Sequence, residues 1–433
     1  MCATISIQTI YKLSRFTVSK EGRKMNEKII VVLLALLGCL FPILLNIFKR
    51  KSSTNEIPDN VKDVYDEETY GKWRSYKAEH SRLDLISGIV SLVVTIALLA
   101  TNCFSMFASL FPDVFAWQII SVILLDAVVS QIFGVIFSYF STMVIEQKYG
   151  FNKSTVKTFV IDKIRGFIVS LLLSLAIAFL LAGLHTWLGD ALVIILSAVL
   201  FAFSLLISFL YPVLSRIGNK FTPLEEGEHR TKLMELLTSH GYHVRDIKVM
   251  DASRRTTKLN AYFTGFGSSK TIVLFDNLVN AMTTEEICAV FAHELGHGLH
   301  KDVLKMQIMN IGNFLLMALA AWISVRELGI HQTFGFADIN YGFAYILTGV
   351  FLSLIQPLTS LLVNAYSRRA EYRADKQAVS EGYGVAMVGA LKKLARENFS
   401  ELAPTRISVM LEYSHPPLSE RIKALEELNK KEE

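Results

Sequence analysis

The chain has 433 residues, of which 52% are hydrophobic and only 19% are charged, and its mean hydropathy is +0.39. This composition is typical of an α-helical membrane protein, and it excludes a disordered chain or an ordinary soluble domain. The net charge is +5, but no basic patch is interleaved with aromatic residues. We therefore expect the lipid bilayer as a partner and exclude nucleic acid.

Seven segments are long and apolar enough to cross a membrane as helices. In chain order they are about Ile29–Phe48, Leu85–Ser105, Trp117–Ile145, Gly166–His185, Ala191–Leu214, Ile308–Val325 and Tyr341–Ala365. The third is longer than a crossing requires and carries Asp126, Ser130 and Gln131. These polar residues indicate either hydrogen bonds to neighbouring helices or a water-filled cavity inside the bundle.

The hydrophilic segments between these spans alternate between the two sides of the membrane. One side receives residues 49–84, 146–165, 215–307 and 366–433, which carry 37 of the 44 Lys and Arg residues. The positive-inside rule places this side in the cytoplasm, at the cell membrane or at the endoplasmic reticulum membrane. The N-terminus then lies on the opposite side, whether translation begins at Met1 or at Met25.

The third of these segments contains the pentad His293-Glu294-Leu295-Gly296-His297. Before it, Thr283 and Glu286 form a capping box, which predicts a helix over residues 284–300. Histidines four residues apart project from one helix face and can bind the same Zn²⁺. The glutamate between them lies about 100° round the helix, where it can accept a proton from a water. The alternative is a half-exposed helix with ordinary polar residues.

A zinc site of this type needs a third protein ligand, and the segment after the last span offers one. Glu371 and Asp375 stand four residues apart at helical spacing. Glu371 is the candidate ligand, and Asp375 would orient His293 through its second ring nitrogen. The alternative is a charged helix face on which Glu371 pairs with Arg368 or Arg369. Two spans separate the pentad from Glu371, so both return to the same side of the membrane, as a shared site requires.

Five segments give the chain a resemblance to a known family. They are Glu146–Thr155, Leu259–Phe263, the pentad, Asn364–Asp375 and Ser414–Pro417. Over most of its length the chain resembles the integral-membrane zinc metalloproteases of the CaaX prenyl protease 1 type. Its seven spans and its Tyr149-Gly-Phe-Asn152 loop distinguish it from the shorter heat-shock membrane proteases, which share the zinc motifs.

The resemblance implies a fold and a cofactor. The fold is an α-helical integral membrane protein whose seven transmembrane helices form a barrel around an internal chamber, with a small α+β zinc metalloprotease domain of the gluzincin type. One Zn²⁺ per chain is expected. The predicted parts are an N-terminal segment 1–28, a five-span membrane region 29–214, a first part of the metalloprotease domain 215–307, two further spans 308–365 and a second metalloprotease part 366–433.

The resemblance also implies roles for the residues that match the family motifs. The zinc ligands would be His293, His297 and Glu371, with Glu294 as general base and Asp375 supporting a ligand. His415 resembles the family histidine that contacts substrate near the scissile carbonyl, and Arg368 matches an arginine near the site. The structural alternatives are a residue that merely precedes the Pro416-Pro417 turn and an ion pair, respectively.

Two β-rich runs before the pentad are predicted to form a hairpin. They are Leu259–Phe263 and Thr271–Phe275, separated by the turn Gly265-Phe-Gly267. The resemblance implies that Asn260 and Ala261 lie on an edge strand that pairs with extended substrate. The alternative is a hairpin that only packs against the zinc helix.

We therefore predict a membrane-embedded zinc endopeptidase that hydrolyses peptide bonds near the C-terminus of CaaX-type proteins, prenylated or unmodified, at the cytoplasmic side. Its partners would be peptides or proteins with extended C-terminal tails. Two alternatives stay open. One is a quality-control protease of the heat-shock type that acts on unprenylated substrates. The other is a catalytically silent, zinc-stabilised membrane scaffold, against which the intact Glu294 argues.

Overall fold

The computed structural model describes residues 20–50, 55–214, 219–241, 247–264 and 271–432. The predicted N-terminal segment 1–28 thus lies outside the described residues as far as residue 19. The predicted hairpin turn at 265–267 lies outside them as well.

Among the described residues, six α-helices precede the predicted metalloprotease domain. They are α1 (Lys20–Lys49), α2 (Glu67–Ala100), α3 (Cys103–Ala108), α4 (Phe115–Tyr139), α5 (Val156–Leu188) and α6 (Leu192–Leu214). The chain continues through α4 into a π-helical segment, Phe140–Glu146.

The remaining described elements are short strands, which form a sheet, and further α-helices. The strands are β1 (Phe221–Pro223), β2 (Ile247–Met250), β3 (Ala261–Thr264) and β4 (Thr271–Phe275). The helices are α7 (Glu228–Ser239), α8 (Asp276–Ala281), α9 (Thr284–Leu299), α10 (Asp302–Arg326), α11 (Leu328–Thr333), α12 (Tyr341–Ser380), α13 (Gly384–Glu397), α14 (Arg406–Glu412) and α15 (Leu418–Glu432).

Six stretches of the described residues are long and apolar enough to cross a membrane. One of them, Val156–Leu210, is 55 residues long and consists of α5 and α6. A 3-10 turn at Gly189–Ala191 joins these two helices, and Gly189 has a positive φ of 52° that lets the chain reverse. The two helices therefore cross separately, and the predicted seven-helix membrane fold is confirmed.

The second span ends earlier than the sequence suggested. The prediction placed it at Leu85–Ser105, but α2 ends at Ala100 and a separate short helix follows. Asn102 adopts φ 57°, a left-handed conformation that asparagine tolerates better than most residues. Lys28 on α1 stabilises the break, because its Nζ donates to Ala100 O at 2.7 Å and to Asn102 Oδ1 at 2.8 Å.

All seven membrane helices line one cavity of about 430 Å³. Each helix contributes at least one lining residue; in chain order, examples are Cys39, Thr95, Asp126, Leu181, Leu196, Met317 and Tyr345. The lining side chains are mostly apolar, and Asp126 contributes a carboxylate to them. Asp126 thus lies on a cavity, whereas Gln131 Nε2 donates to Lys163 O of the neighbouring helix α5 at 3.4 Å, so each of the two sequence interpretations holds for one of these residues.

A four-stranded sheet lies in the catalytic region, in the order β1-β2-β4-β3. Strand β2 runs parallel to β4, and the two outer pairs are antiparallel. The pairing of β3 with β4 is the predicted hairpin, and it leaves β3 at the edge of the sheet. Leu274 on β4 joins Leu233, Leu237 and Phe291 in a buried core that fixes α7 and α9 against the sheet.

Helix α12 links the membrane to the catalytic region, because its 40 residues continue well past the length of a crossing. Its last turns pack against α9, while α13 and α15 cover them. One continuous helix thus carries Glu371 from the last membrane span to the helix that bears the pentad.

Candidate active site

Helix α9 begins as the sequence predicted. The Thr283 hydroxyl accepts from the Glu286 N–H, and the Glu286 carboxylate accepts from the Thr283 N–H at 2.9 Å, which completes the capping box. The pentad occupies the last two turns of the helix. A side chain at Gly296 would lie 2.9 Å from Ala374 Cα, so this glycine allows α9 to approach the backbone of α12 closely.

This close approach brings the three predicted ligands together. His293 Nε2 lies 3.4 Å from Glu371 Oε2, and His297 Nε2 lies 3.3 Å from Glu371 Oε1. One candidate ligand atom from each residue falls within 4.8 Å of the others. Glu371 is 3% exposed, so its carboxylate is removed from bulk water.

The donor set fits a divalent metal ion of the zinc type. Two imidazole nitrogens and a carboxylate oxygen are typical of zinc hydrolase sites, which leave a fourth position open. Glu371 Oε2 is buried and, within the described part of the chain, accepts no hydrogen bond of good geometry, although His415 Nδ1 lies 2.8 Å from it. A buried carboxylate oxygen without a hydrogen-bond donor is costly, and binding a cation would remove that cost.

The second ring nitrogens of both histidines face carboxylates. His293 Nδ1 is 2.9 Å from Asp375 Oδ1, as the sequence suggested. His297 Nδ1 is 3.1 Å from Asp302 Oδ2, a contact that the sequence analysis missed. Such carboxylate partners fix the tautomer and the ring direction of metal-binding histidines, so that Nε2 points towards the shared centre.

Asp302 is itself held by two further groups. Its Oδ1 accepts from the Tyr366 hydroxyl at 3.1 Å and from Arg373 Nη2 at 2.7 Å. Asp302 is the first residue of α10, and Lys301 before it has a positive φ of 55°. In the sequence, only the presence of an acidic residue five positions after the pentad hinted at this contact. The left-handed conformation of Lys301 directs the Asp302 side chain towards His297.

Arg421 on α15 is the second residue that the sequence analysis missed. It is buried, and it reaches both acidic residues of α12: Nη2 lies 2.6 Å from Asp375 Oδ1, and Nη1 lies 3.3 Å from Glu371 Oε2. Its charge balances part of the negative charge at the centre. Nothing in the local sequence around Arg421 indicates this contact.

The ionisable groups of the site shift one another strongly. Burial disfavours the charged form of His293, but its hydrogen bonds to Asp375 and Glu371 outweigh that effect and raise its pKa to about 9. Burial raises the pKa of the Glu294 carboxyl, and the neighbouring histidines oppose the rise. A carboxyl whose pKa moves upward is a better proton acceptor, which suits a general base.

The four remaining predicted residues lie on segments next to the helices that form this centre. Arg368 donates through Nη1 to Val409 O and to Tyr413 O, both at 2.8 Å, so it holds the chain just before His415. Ala261 is the first residue of edge strand β3, which packs beside α9, and Asn260 directly precedes it. His415 is 63% exposed in its side chain, so it borders open space next to Glu371.

Two family models match the chain. One, described as CAAX prenyl protease N-terminal, five membrane helices, covers residues 46–216, and the other, Peptidase family M48, covers residues 223–429. The CAAX prenyl protease 1 homolog of Oryza sativa is 37% identical over 308 residues, which are 70% of this chain and 72% of the rice protein. The chain belongs to the CaaX prenyl protease 1 family. CAAX prenyl protease 1 of Saccharomyces cerevisiae is 30% identical over 88% of this chain and 91% of the yeast protein.

A solved structure agrees with this assignment. The crystal structure of S. mikatae Ste24p superposes with a TM-score of 0.85 at 28% identity, over 92% of this chain and 99% of that chain. As a CaaX prenyl protease 1 relative, the protein is a multi-pass membrane zinc metalloprotease that acts on protein substrates.

Proposed function

We propose that this metalloprotease cleaves peptide bonds near the C-terminus of CaaX-type proteins that carry a prenyl group, and that it does so from the cytoplasmic side of the membrane. Family membership supports the reaction type. The names of the relatives support the substrate class.

The observation that carries the prenyl part is the cavity of about 430 Å³ that all seven membrane helices line. A prenyl chain that enters such an apolar space leaves water, at about 0.8 kcal/mol per buried CH₂ as an upper guide. The lipid does not take part in the chemistry. Its contribution therefore appears chiefly as a lower KM.

The proposed ligands of one zinc ion are His293, His297 and Glu371, whose donor atoms already converge. Bound there, zinc supplies a Lewis acid for the peptide carbonyl and lowers the pKa of a water to about 7. Asp375 and Asp302 keep the two imidazoles in the tautomer that offers Nε2.

Glu294 is the proposed general base and then the general acid. Its carboxylate accepts a proton from the water whose oxygen attacks the scissile carbonyl carbon. It then delivers that proton to the nitrogen of the departing amine as the C–N bond breaks. His415 borders the same space and would donate a hydrogen bond to the carbonyl oxygen as its negative charge grows. Arg368 supports substrate binding by holding the loop that presents His415.

Strand β3 offers a place for the substrate backbone. Phe275 N donates to Asn260 O at 3.1 Å, so residues 260 and 275 form a hydrogen-bonded pair and the next pair, 261 and 274, does not. The N–H and C=O of Ala261 therefore point away from β4. Asn260 Oδ1 accepts from this N–H at 2.9 Å, and an extended substrate would displace that contact.

In the proposed domain organisation, residues 215–307 and 366–433 emerge on the same side of the membrane. Together they form the metalloprotease domain. The 37 basic residues of this side favour the cytoplasm.

The decisive experiment compares three peptides with purified full-length protein. They are a farnesylated CaaX peptide, its unmodified twin and an unrelated flexible peptide, each with a Glu294→Gln control. We expect the highest kcat/KM for the farnesylated peptide, with the gain in KM. Equal values for all three peptides would overturn the prenyl proposal and favour a quality-control protease, while the zinc protease assignment would stand.

A further inference from the structure

A basic groove lies outside the candidate metal site, between the C-terminal end of α1 and the first half of α2. Its cavity of about 600 Å³ is bordered by Lys49 and Arg50 after the apolar part of α1 and by Arg74, Lys77 and Arg82 on α2. We propose that this groove binds the phosphate headgroup of an anionic membrane lipid. The inference is independent of the substrate proposed above.

The shape of the groove comes from small residues on one face of α2. Gly71, Ser75 and Ala78 recur at helical spacing and line the cavity. A side chain built on Gly71 meets nothing within 4 Å, so this part of the helix faces open space. Arg74 and Arg82 line the same cavity. The groove is thus a recess with arginines on its wall.

The charges of the groove are only partly balanced by the protein. Lys77 Nζ pairs with Glu401 at 2.9 Å, and Lys49 pairs with Glu412. Among the described residues, no hydrogen bond or close ion pair engages Arg74 or Arg82, although Arg82 interacts with the nearby Glu79 and the Asp84 carboxylate lines the same groove. Guanidinium groups bind phosphate in a bidentate way, so two such groups beside a recess are suited to a phosphate headgroup.

The position of the groove favours a lipid over a soluble anion. Phe48, which is 48% exposed, directly precedes Lys49, and Ile86, which is 54% exposed, follows the last charged residue of the groove on α2, Asp84. Exposed apolar residues continue along both helices, for example Leu44 and Val93. The groove therefore lies where the charged ends of α1 and α2 meet their lipid-facing surface, which is the level of the headgroups. The acyl chains of a bound lipid would lie along that surface.

The test uses the purified full-length protein in a neutral detergent. Binding of dioctanoyl phosphatidic acid is measured by native mass spectrometry and compared with dioctanoyl phosphatidylcholine, glycerol 3-phosphate and inorganic phosphate. We expect saturable binding of phosphatidic acid that weakens with salt, and much weaker binding of the other three. Equal affinity for phosphatidic acid and glycerol 3-phosphate would overturn the lipid assignment.

Matched variants locate the binding. The pair Arg74→Gln and Arg82→Gln should weaken phosphatidic acid binding roughly tenfold or more. The control pair Lys62→Gln and Lys72→Gln removes the same charge from exposed residues outside the groove and should leave binding within about twofold. Equal losses in both pairs would refute a defined site.

A further variant keeps every charge of the groove. Gly71→Trp should fill the recess and abolish phosphatidic acid binding, with the Tm and zinc content unchanged. If this variant and the arginine pair both bind phosphatidic acid like the wild type, the inference is wrong.

Discussion

Arg421 and Asp375 form a buried two-point ion pair, in which Nε lies 2.9 Å from Oδ2 and Nη2 lies 2.6 Å from Oδ1. The same Asp375 oxygen that accepts from Nη2 also lies 2.9 Å from His293 Nδ1. The C-terminal helix α15 is thereby joined to the helix that carries the pentad. The candidate metal site depends on contacts among three helices that are distant in sequence.

Arg421→Gln should destabilise the protein substantially. The substitution leaves the buried Asp375 carboxylate without its cation, at a cost of about 3–5 kcal/mol. A lower Tm in detergent measures the effect. Lys423→Gln, an exposed change on the same helix, should leave the Tm unchanged. Equal Tm values for the two variants would show that the buried pair contributes nothing.

Zinc content should distinguish variants of the proposed ligands from a variant of the proposed base. Glu371→Ala and His297→Ala remove a donor and should lose most of the bound zinc. Glu294→Gln keeps all three donors, so it should retain one zinc per chain while kcat falls by roughly three orders of magnitude, about 4 kcal/mol. Full zinc in purified Glu371→Ala would remove that residue from the ligand set. Activity of Glu294→Gln within tenfold of wild type would exclude its role as base.

Gly296→Val should disturb the site without touching a ligand. The new side chain meets the α12 backbone at Ala374 and forces the two helices apart, at a cost of about 1–3 kcal/mol. Zinc affinity and Tm should both fall. Gly312→Ala in α10 is the control, because a side chain there meets nothing within 4 Å. A normal zinc affinity in Gly296→Val would mean that close packing of α9 on α12 is not needed.

The proposed orientation can be tested with inserted reporters. Reporters near Gly227 and after Glu433 should both be cytoplasmic, and one near His331 should lie on the opposite side. Gly227 lies in the first part of the proposed metalloprotease domain, and Glu433 is the last residue of the second part. Finding them on opposite sides would contradict a shared site as well as the orientation.

These tests also mark what the sequence can predict. Helix α9 was predicted almost to its ends, because its capping box and its apolar spacing are local features. Asp302 is close to the pentad in sequence, yet its contact with His297 requires the left-handed turn at Lys301, which spacing alone does not reveal. Arg421 lies 128 residues from His293, so only tertiary packing brings them together.

The second span shows the same limit. Hydropathy alone placed its end at Ser105, because Cys103–Ala108 is also apolar. The break at Asn102 is fixed by Lys28 from another helix, a contact that no window along one segment can detect. Local patterns therefore predicted the elements, and contacts between elements decided where one of them ends.

The last prediction concerns the substrate-binding strand. Ala261→Pro removes the N–H that points away from β4 and should raise KM for an extended peptide. One lost backbone hydrogen bond contributes about 1 kcal/mol, so we expect kcat/KM to fall roughly fivefold, with zinc content unchanged because no ligand lies on β3. Ala261→Val keeps the N–H and suits a strand, so it should behave like the wild type. If both variants cleave the farnesylated peptide with wild-type KM, substrate does not pair with this edge, and β3 serves only to pack against α9.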